Sequence, residues 1–253
     1  MATTTTVKGT SDRRSGRVKA SPPPSTLVLL VRHGTTPTTG QVLPGRAPGL
    51  HLADRGREQA EAVAERLAGW SAGGGGPASG RRNGTPDRGT TGSGGRIRAV
   101  YASPLERTRE TAAPIGRALG VKVQSHRGLL ECDFGEWTGA ELKKLMKLPE
   151  WSTVQRYPSW FRFPGGESFT AMQARIVTAI ADLCQLHPNE AVVVVSHADP
   201  IKAAVCDALG SHLDLFQRIV ISPCSVTTIS YGPLGPTVLA VNSTASLAEL
   251  VPS

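Results

Sequence analysis

Leu27-Val28-Leu29-Leu30-Val31 is a run of five apolar residues with no polar position inside it, and it is followed at once by Arg32, His33 and Gly34. An unbroken apolar run with two β-branched members fits a strand covered on both faces, the habit of a parallel sheet lying between helices. Such a strand delivers a fixed cation and an imidazole at its carboxyl end, where open α/β sheets gather their ligands. Gly34 lets the chain turn there and leaves room beside the imidazole. Taken alone, Arg32-His33 is either a polar strand end or a reactive one. A second run, Ala191-Val192-Val193-Val194-Val195-Ser196, also ends in a histidine, His197. Parallel neighbours lie about 4.8 Å apart, so adjacent or next-adjacent strands bring His33 and His197 within reach of one small anion.

The 253 residues suffice for one large domain, and their formal charge of +8 raises the question of a polyanionic partner. Location answers it. Residues 1–25 hold Lys8, Arg13, Arg14, Arg17 and Lys19 against Asp12, and residues 71–95 hold Arg81, Arg82 and Arg88 against Asp87, which leaves only +2 elsewhere. Both segments lack an apolar period, and 71–95 is rich in glycine, so the expectation is a disordered basic tail, a disordered Gly-rich insertion, and no nucleic-acid partner. The Ser/Thr/Arg content of the tail resembles an organellar transit peptide, but Pro22-Pro23-Pro24 and the missing apolar face favour a plain tail. No apolar run is long enough for a membrane span. Cys132, Cys184, Cys206 and Cys224 form no Cys-x-x-Cys pair, which predicts neither a zinc site nor a redox motif and suits reduced thiols in the cytoplasm.

Between these segments, strand and helix patterns alternate. A strand over 26–32 leads into a breaker-rich loop over 35–52, then a helix capped by Asp54 over 55–70. A strand over 97–102 follows, then a helix started by Ser103-Pro104 and bent or broken near Pro114, then a strand over 121–125. Residues 139–163 read as short helices and loop with Trp151, Trp160, Phe161 and Phe163, which either form a substrate lid or pack a small subdomain; substrate-selecting residues are expected there. The longest helix opens at Gly165-Gly166-Glu167-Ser168, and after the second histidine come a helix over 200–209 and strands near 226–231 and 237–242. This order predicts a three-layer α/β/α sandwich around a mainly parallel sheet, one domain over 26–245.

The chemistry follows from residue types. Two histidines with the guanidinium groups of Arg32 and Arg107 match the needs of a phosphoryl group, whose charge is spread over three oxygens. With no metal-ligand cluster visible, side chains must neutralise that charge. Surrounding cations keep a histidine neutral and nucleophilic. A leaving alkoxide needs a proton, and Glu131, between Leu129-Leu130 and Cys132, is either that acid or an exposed loop carboxylate.

Arg32-His33-Gly34 after a strand, Ser103-Pro104-Leu105-Glu106-Arg107-Thr108 before a helix, Glu131 ahead of Phe134-Gly135-Glu136-Trp137-Thr138-Gly139, Gly165-Gly166-Glu167-Ser168 and Ser196-His197 occur in that order. Together they resemble the motif set of the histidine phosphatase superfamily, the phosphoglycerate-mutase-like branch 1, and look like its small bacterial-type phosphatases. The resemblance spans about residues 26–231. It implies that His33 is the nucleophile, Glu131 the proton donor, and Arg32, Arg107 and His197 the phosphate ligands. It also implies no metal or cofactor, a small phosphorylated substrate, and a homodimer as one open assembly. Three departures stand out: Thr39 where relatives usually carry an asparagine that touches phosphate, Ala198-Asp199 after the second histidine in place of glycine, and Asp54 in place of a threonine cap. Gly166 follows Glu131 closely, without the long insert of bisphosphoglycerate-dependent mutases, so a phosphomonoesterase is preferred over a mutase. A non-catalytic interaction protein would be expected to have lost one of His33, Arg107, Glu131 or His197, and all four are present.

Overall fold

The computed structural model describes residues 25–73 and 96–244; the basic tail and the Gly-rich insertion expected from sequence fall almost wholly outside them. In chain order the regular elements are β1 (Thr26–Arg32), α1 (Asp54–Ala72), β2 (Ile97–Ala102), α2 (Glu106–Leu119), β3 (Val123–Ser125), α3 (Leu142–Leu145), α4 (Trp151–Arg156), α5 (Phe169–Leu186), β4 (Ala191–Ser196), α6 (Ala198–Ala208), β5 (Val226–Gly232) and β6 (Gly235–Ser243). The strands form one sheet in the order β3-β2-β4-β1-β5-β6. Its first four are mutually parallel, while β5 runs antiparallel to β1 and closes a tight hairpin with β6.

The apolar runs lack alternation because successive residues serve opposite layers. Val28, Leu30, Tyr101, Val192 and Val194 pack with α5 and α6. Leu29, Val31, Val100, Val193 and Val195 pack with α1 and α2. Val192 to Val195 of β4 have no solvent exposure, and each such valine contributes roughly 1.5–3 kcal/mol by leaving water. The sandwich is therefore the three-layer α/β/α arrangement anticipated, with β1 and β4 at its centre.

Local starts differ from the sequence reading in instructive ways. Helix α1 begins at Asp54 itself, with Ala53 before it and no side-chain cap; the Asp54 carboxylate pairs with Arg57 at 3.1 Å, where it still favours the positive helix end. Helix α2 begins at Glu106, because Ser103 is used elsewhere, and it runs unbroken through Pro114. Helix α5 starts as expected, with Ser168 Oγ accepting the Ala171 N–H at 3.1 Å, but α1 is longer by one residue.

The aromatic residues of the 139–163 segment divide between core and surface. Phe161 and Phe163 are buried, with ring centroids 4.9 Å apart, and join Trp137 and Phe169 in the core, whereas Trp160 is 87 % exposed. The two phenylalanine rings thus belong to the main core beside α5. None of the helices in the described residues is long and apolar enough to cross a membrane, and none of the four cysteines is in a disulfide.

Candidate active site

Three adjacent parallel strands each place one polar residue just past their carboxyl ends: Ser103 after β2, His197 after β4 and His33 after β1. Register makes them neighbours. Arg32 pairs with Ser196, the His33 N–H donates to the Ser196 carbonyl at 3.0 Å, and the Ser103 N–H donates to the Val195 carbonyl at 3.0 Å. The two imidazoles meet edge-on with centroids 5.3 Å apart. Ser103 Oγ sits 2.9 Å from Nε2 of His197. The serine expected to cap a helix thus orients the second histidine instead, and the signal was available, since an apolar strand leads into Ser103 just as into His33 and His197.

His33 is held by its Nδ1, which lies 2.8 Å from the Gly34 carbonyl oxygen. A carbonyl only accepts, so the proton is on Nδ1 and Nε2 keeps its lone pair. Burial, then the charges of Arg32 and Arg107, hold its pKa well below the ordinary imidazole value. Gly34 is required here for close approach and not for a left-handed turn: a Cβ would stand 2.5 Å from the Gly56 carbonyl oxygen of α1. Strand end and helix therefore touch backbone to backbone, which fixes the imidazole.

Arg107 enters from the first turn of α2, is fully buried, and donates from Nη2 to the Gly45 carbonyl at 2.8 Å. Arg32 donates from Nη1 to the Ile221 carbonyl at 2.7 Å. Arg32 Nε, Arg107 Nε and Nη1, and His197 Nδ1 are buried with no hydrogen-bond partner among the described residues. Each buried unsatisfied group costs on the order of 1–3 kcal/mol, so four around one centre mark a site built for an acceptor-rich anion.

Glu131 is 7 % exposed, which rules out the exposed loop carboxylate. Its Oε1 accepts the Cys132 N–H at 2.9 Å, and Oε2 is 3.9 Å from Nδ1 of His197. Burial and the neighbouring Asp199 push its pKa up to about 7, against the opposing pull of Arg107 and Arg32. The carboxylic acid is thus partly protonated at neutral pH, as a proton donor must be. His33, Arg32 and Glu131 line a cavity of about 370 Å³ together with Thr36, Thr38 and Thr39. Thr39 Oγ1 accepts the Thr36 N–H at 2.8 Å and lies 3.0 Å from Thr36 Oγ1, so it holds the turn of its own loop. No group of three or more His, Cys, Asp or Glu side chains able to hold a metal ion occurs among the described residues.

The histidine phosphatase superfamily (branch 1) model matches residues 28–73 and 90–244. The chain belongs to that superfamily. Phosphoserine phosphatase 1 of Hydrogenobacter thermophilus is 29 % identical over 229 residues, covering 88 % of this chain and 94 % of that protein. A probable phosphoglycerate mutase of Enterobacter sp. (strain 638) is 28 % identical over 206 residues, 81 % of this chain and 84 % of its own length. Among solved structures, a mutant phosphoserine phosphatase from Entamoeba histolytica in complex with phosphoserine has a TM-score of 0.71 at 23 % identity, covering 88 % of this chain and 99 % of that one.

This histidine phosphatase brings together all six residues singled out from sequence, Thr39 in a supporting position. What sequence reasoning missed is the scaffold of the Glu131 loop. Arg46 donates from Nε to the Glu131 carbonyl at 2.9 Å and from Nη2 to Glu167 at 2.9 Å. Arg175 pairs with both Glu167 oxygens at 2.9 Å and donates to the carbonyls of Gly128, Leu130 and Glu131 at 2.8, 2.9 and 3.3 Å. Such a clamp is not read from spacing, because its members come from three separate segments. Arg175→Ala removes five charge-assisted hydrogen bonds and leaves Glu167 with Arg46 alone, so it is expected to lower stability by about 3 kcal/mol, read from the urea midpoint at unchanged slope; a loss below about 1 kcal/mol would contradict the clamp.

The cavity draws little of its lining from the 139–163 segment expected to select the substrate. From that segment only Leu142 reaches it; beside Arg32, His33, Glu131 and Phe134, the lining comes from the loop after His33, the first turns of α6, Gln217 and residues 219–221.

Proposed function

We propose that this phosphoric monoester hydrolase acts on a small phosphorylated metabolite through a phosphohistidine at His33. The reading is carried by the four buried, unpartnered nitrogens grouped around a neutral histidine. Nε2 of His33 attacks phosphorus as the ester P–O bond breaks, Arg32, Arg107 and Nδ1–H of His197 hold the phosphoryl oxygens, and Glu131 gives its proton to the leaving oxygen. Ser103 donates to Nε2 of His197, which keeps that proton on Nδ1. Water then attacks the phosphohistidine, Glu131 takes a proton from it, and inorganic phosphate leaves. Thr39 shapes the loop that covers the phosphate. The catalytic domain spans residues 26–245, and the four cysteines without disulfides suit a cytoplasmic setting.

Incubation with a labelled phosphomonoester, quenched within a turnover, is expected to leave label on the protein that survives alkali and is lost in acid, with phosphate release unaffected by chelator. Label stable to acid, or activity lost to chelator, overturns the mechanism. The similarity to a probable phosphoglycerate mutase supports a mutase as the second reading. Conversion of 3-phosphoglycerate to 2-phosphoglycerate, primed by bisphosphoglycerate and without phosphate release, would favour it.

A further inference from the structure

We propose that Asp199 and Lys202 form a subsite for the two charges of a zwitterionic phosphomonoester, its ammonium on Asp199 and its carboxylate on Lys202. The proposal rests on the phosphohydrolase reading above and names the substrate class of that site.

Both side chains line the cavity that holds Arg32 and His33, and both are largely shielded, 16 % exposed for Lys202 and 19 % for Asp199. They stand one helical turn apart on α6, with Lys202 Nζ 3.4 Å from Asp199 Oδ1. A further contact, 3.1 Å to Gln217 Oε1, and the Phe216 ring 5.5 Å away aim the ammonium. The desolvation cost of these charges is therefore already met in the folded protein. A ligand carrying one charge of each sign exchanges partners with the pair and leaves neither charge uncompensated.

Other ester classes fit less well. A substrate whose only charged group beyond phosphate is a carboxylate meets Asp199 beside its Lys202 contact. A sugar phosphate presents a ring of hydroxyls, yet the lining of the cavity includes the apolar Val42, Leu43, Phe134 and Ile219. The polar capacity left over is small: Thr38 Oγ1 is buried with no partner among the described residues and lines the same cavity, enough for one hydrogen bond to a carboxylate or ester oxygen. A compact O-phosphorylated amino acid uses every one of these groups.

The test compares kcat/KM for O-phosphoserine, phosphoethanolamine (ammonium only) and 3-phosphoglycerate (carboxylate only), each divided by the value for ethyl phosphate, an alkyl ester with no charge beyond the phosphate. The division removes any general effect of Asp199 on Glu131. Phosphoserine is expected to exceed each of the others by about tenfold or more, the worth of a hydrogen bond to a charged group. Asp199→Asn is expected to lower phosphoserine and phosphoethanolamine by about tenfold or more and to raise 3-phosphoglycerate; Lys202→Met is expected to lower phosphoserine and 3-phosphoglycerate and to raise phosphoethanolamine. Equal changes in all three ratios, or a native preference for either singly charged ester, overturns the subsite. Calorimetric binding of the same three esters to the His33→Ala protein, in the same expected order, reads the subsite without turnover. Absence of any turnover by the native protein therefore counts against the phosphohydrolase reading, and the binding order alone then decides the subsite.

Discussion

The His33→Ala protein is expected to fold normally and to lose at least about 10⁴-fold in kcat/KM on every phosphomonoester, with no phosphate retained on the chain after quenching. Removal of a nucleophile eliminates the pathway and not merely one contact, so the loss exceeds that of any single binding group. Folding is preserved because His33 lies just past β1, and the register of β1 is set by Leu27 to Arg32 against β4. Substrate binding is preserved as well, since Arg32, Arg107 and His197 keep their own anchors on Ile221, Gly45 and Ser103. The expected signature is thus a collapse of kcat with a calorimetric phosphate-ester affinity within a few-fold of native. Activity within tenfold of native would sink the nucleophile assignment.

Glu131→Gln is expected to show an effect that depends on the leaving group. An alkoxide is a poor leaving group and needs the proton, so alkyl phosphates should lose about 10²–10⁴-fold in kcat/KM. Nitrophenolate leaves well unprotonated, so the aryl ester should lose far less. The pH profile carries the sign. Glu131 donates only while protonated, and its pKa is pushed up to about 7, so kcat/KM on alkyl esters falls as pH rises through about 7. The neutral state of His33 persists across this range, because its pKa lies well below the ordinary value. The rising side of the profile therefore reflects the ester's own second ionisation, near 6, and the falling side belongs to Glu131. The variant should lack that falling side. A uniform loss on alkyl and aryl esters, with the native pH profile retained, would remove Glu131 from the acid role.

The central frame was legible because burial on both faces leaves an unmistakable trace: Val192 to Val195 and Leu27 to Val31 must be apolar throughout, and polar residues at their ends need another reason to be there. Motif spacing carried His33, Arg107, Glu131 and His197. Legibility failed where one residue type serves two purposes. Ser103-Pro104 carries the chemistry of a helix start, yet the hydroxyl serves His197 and α2 begins three residues later. Asp54 has the chemistry of a cap but sits inside the first turn. Aromatic residues attract ligands and cores alike, and only their packing assigned Phe161 and Phe163 to the core. The Arg46–Glu167–Arg175 clamp depends on tertiary approach, and so does the placing of the Asp199–Lys202 pair beside the cavity. Sequence does show the last pair at helical spacing, but not that it faces a cavity.

β1 draws its two neighbours, β4 and β5, from the last third of the chain. During synthesis His33 leaves the ribosome early and waits for His197, Ser196 and the Ile221 carbonyl to be made. Helices α1 and α2 can form locally in that interval, but a chain interrupted before Ala191 has no second histidine and a first strand bare on both edges. A nascent or truncated product is therefore silent towards cellular phosphoesters however well its front half folds. On refolding, the return of turnover times the closure of long-range parallel pairing, a slow and topology-limited event, and should lag the recovery of helical signal.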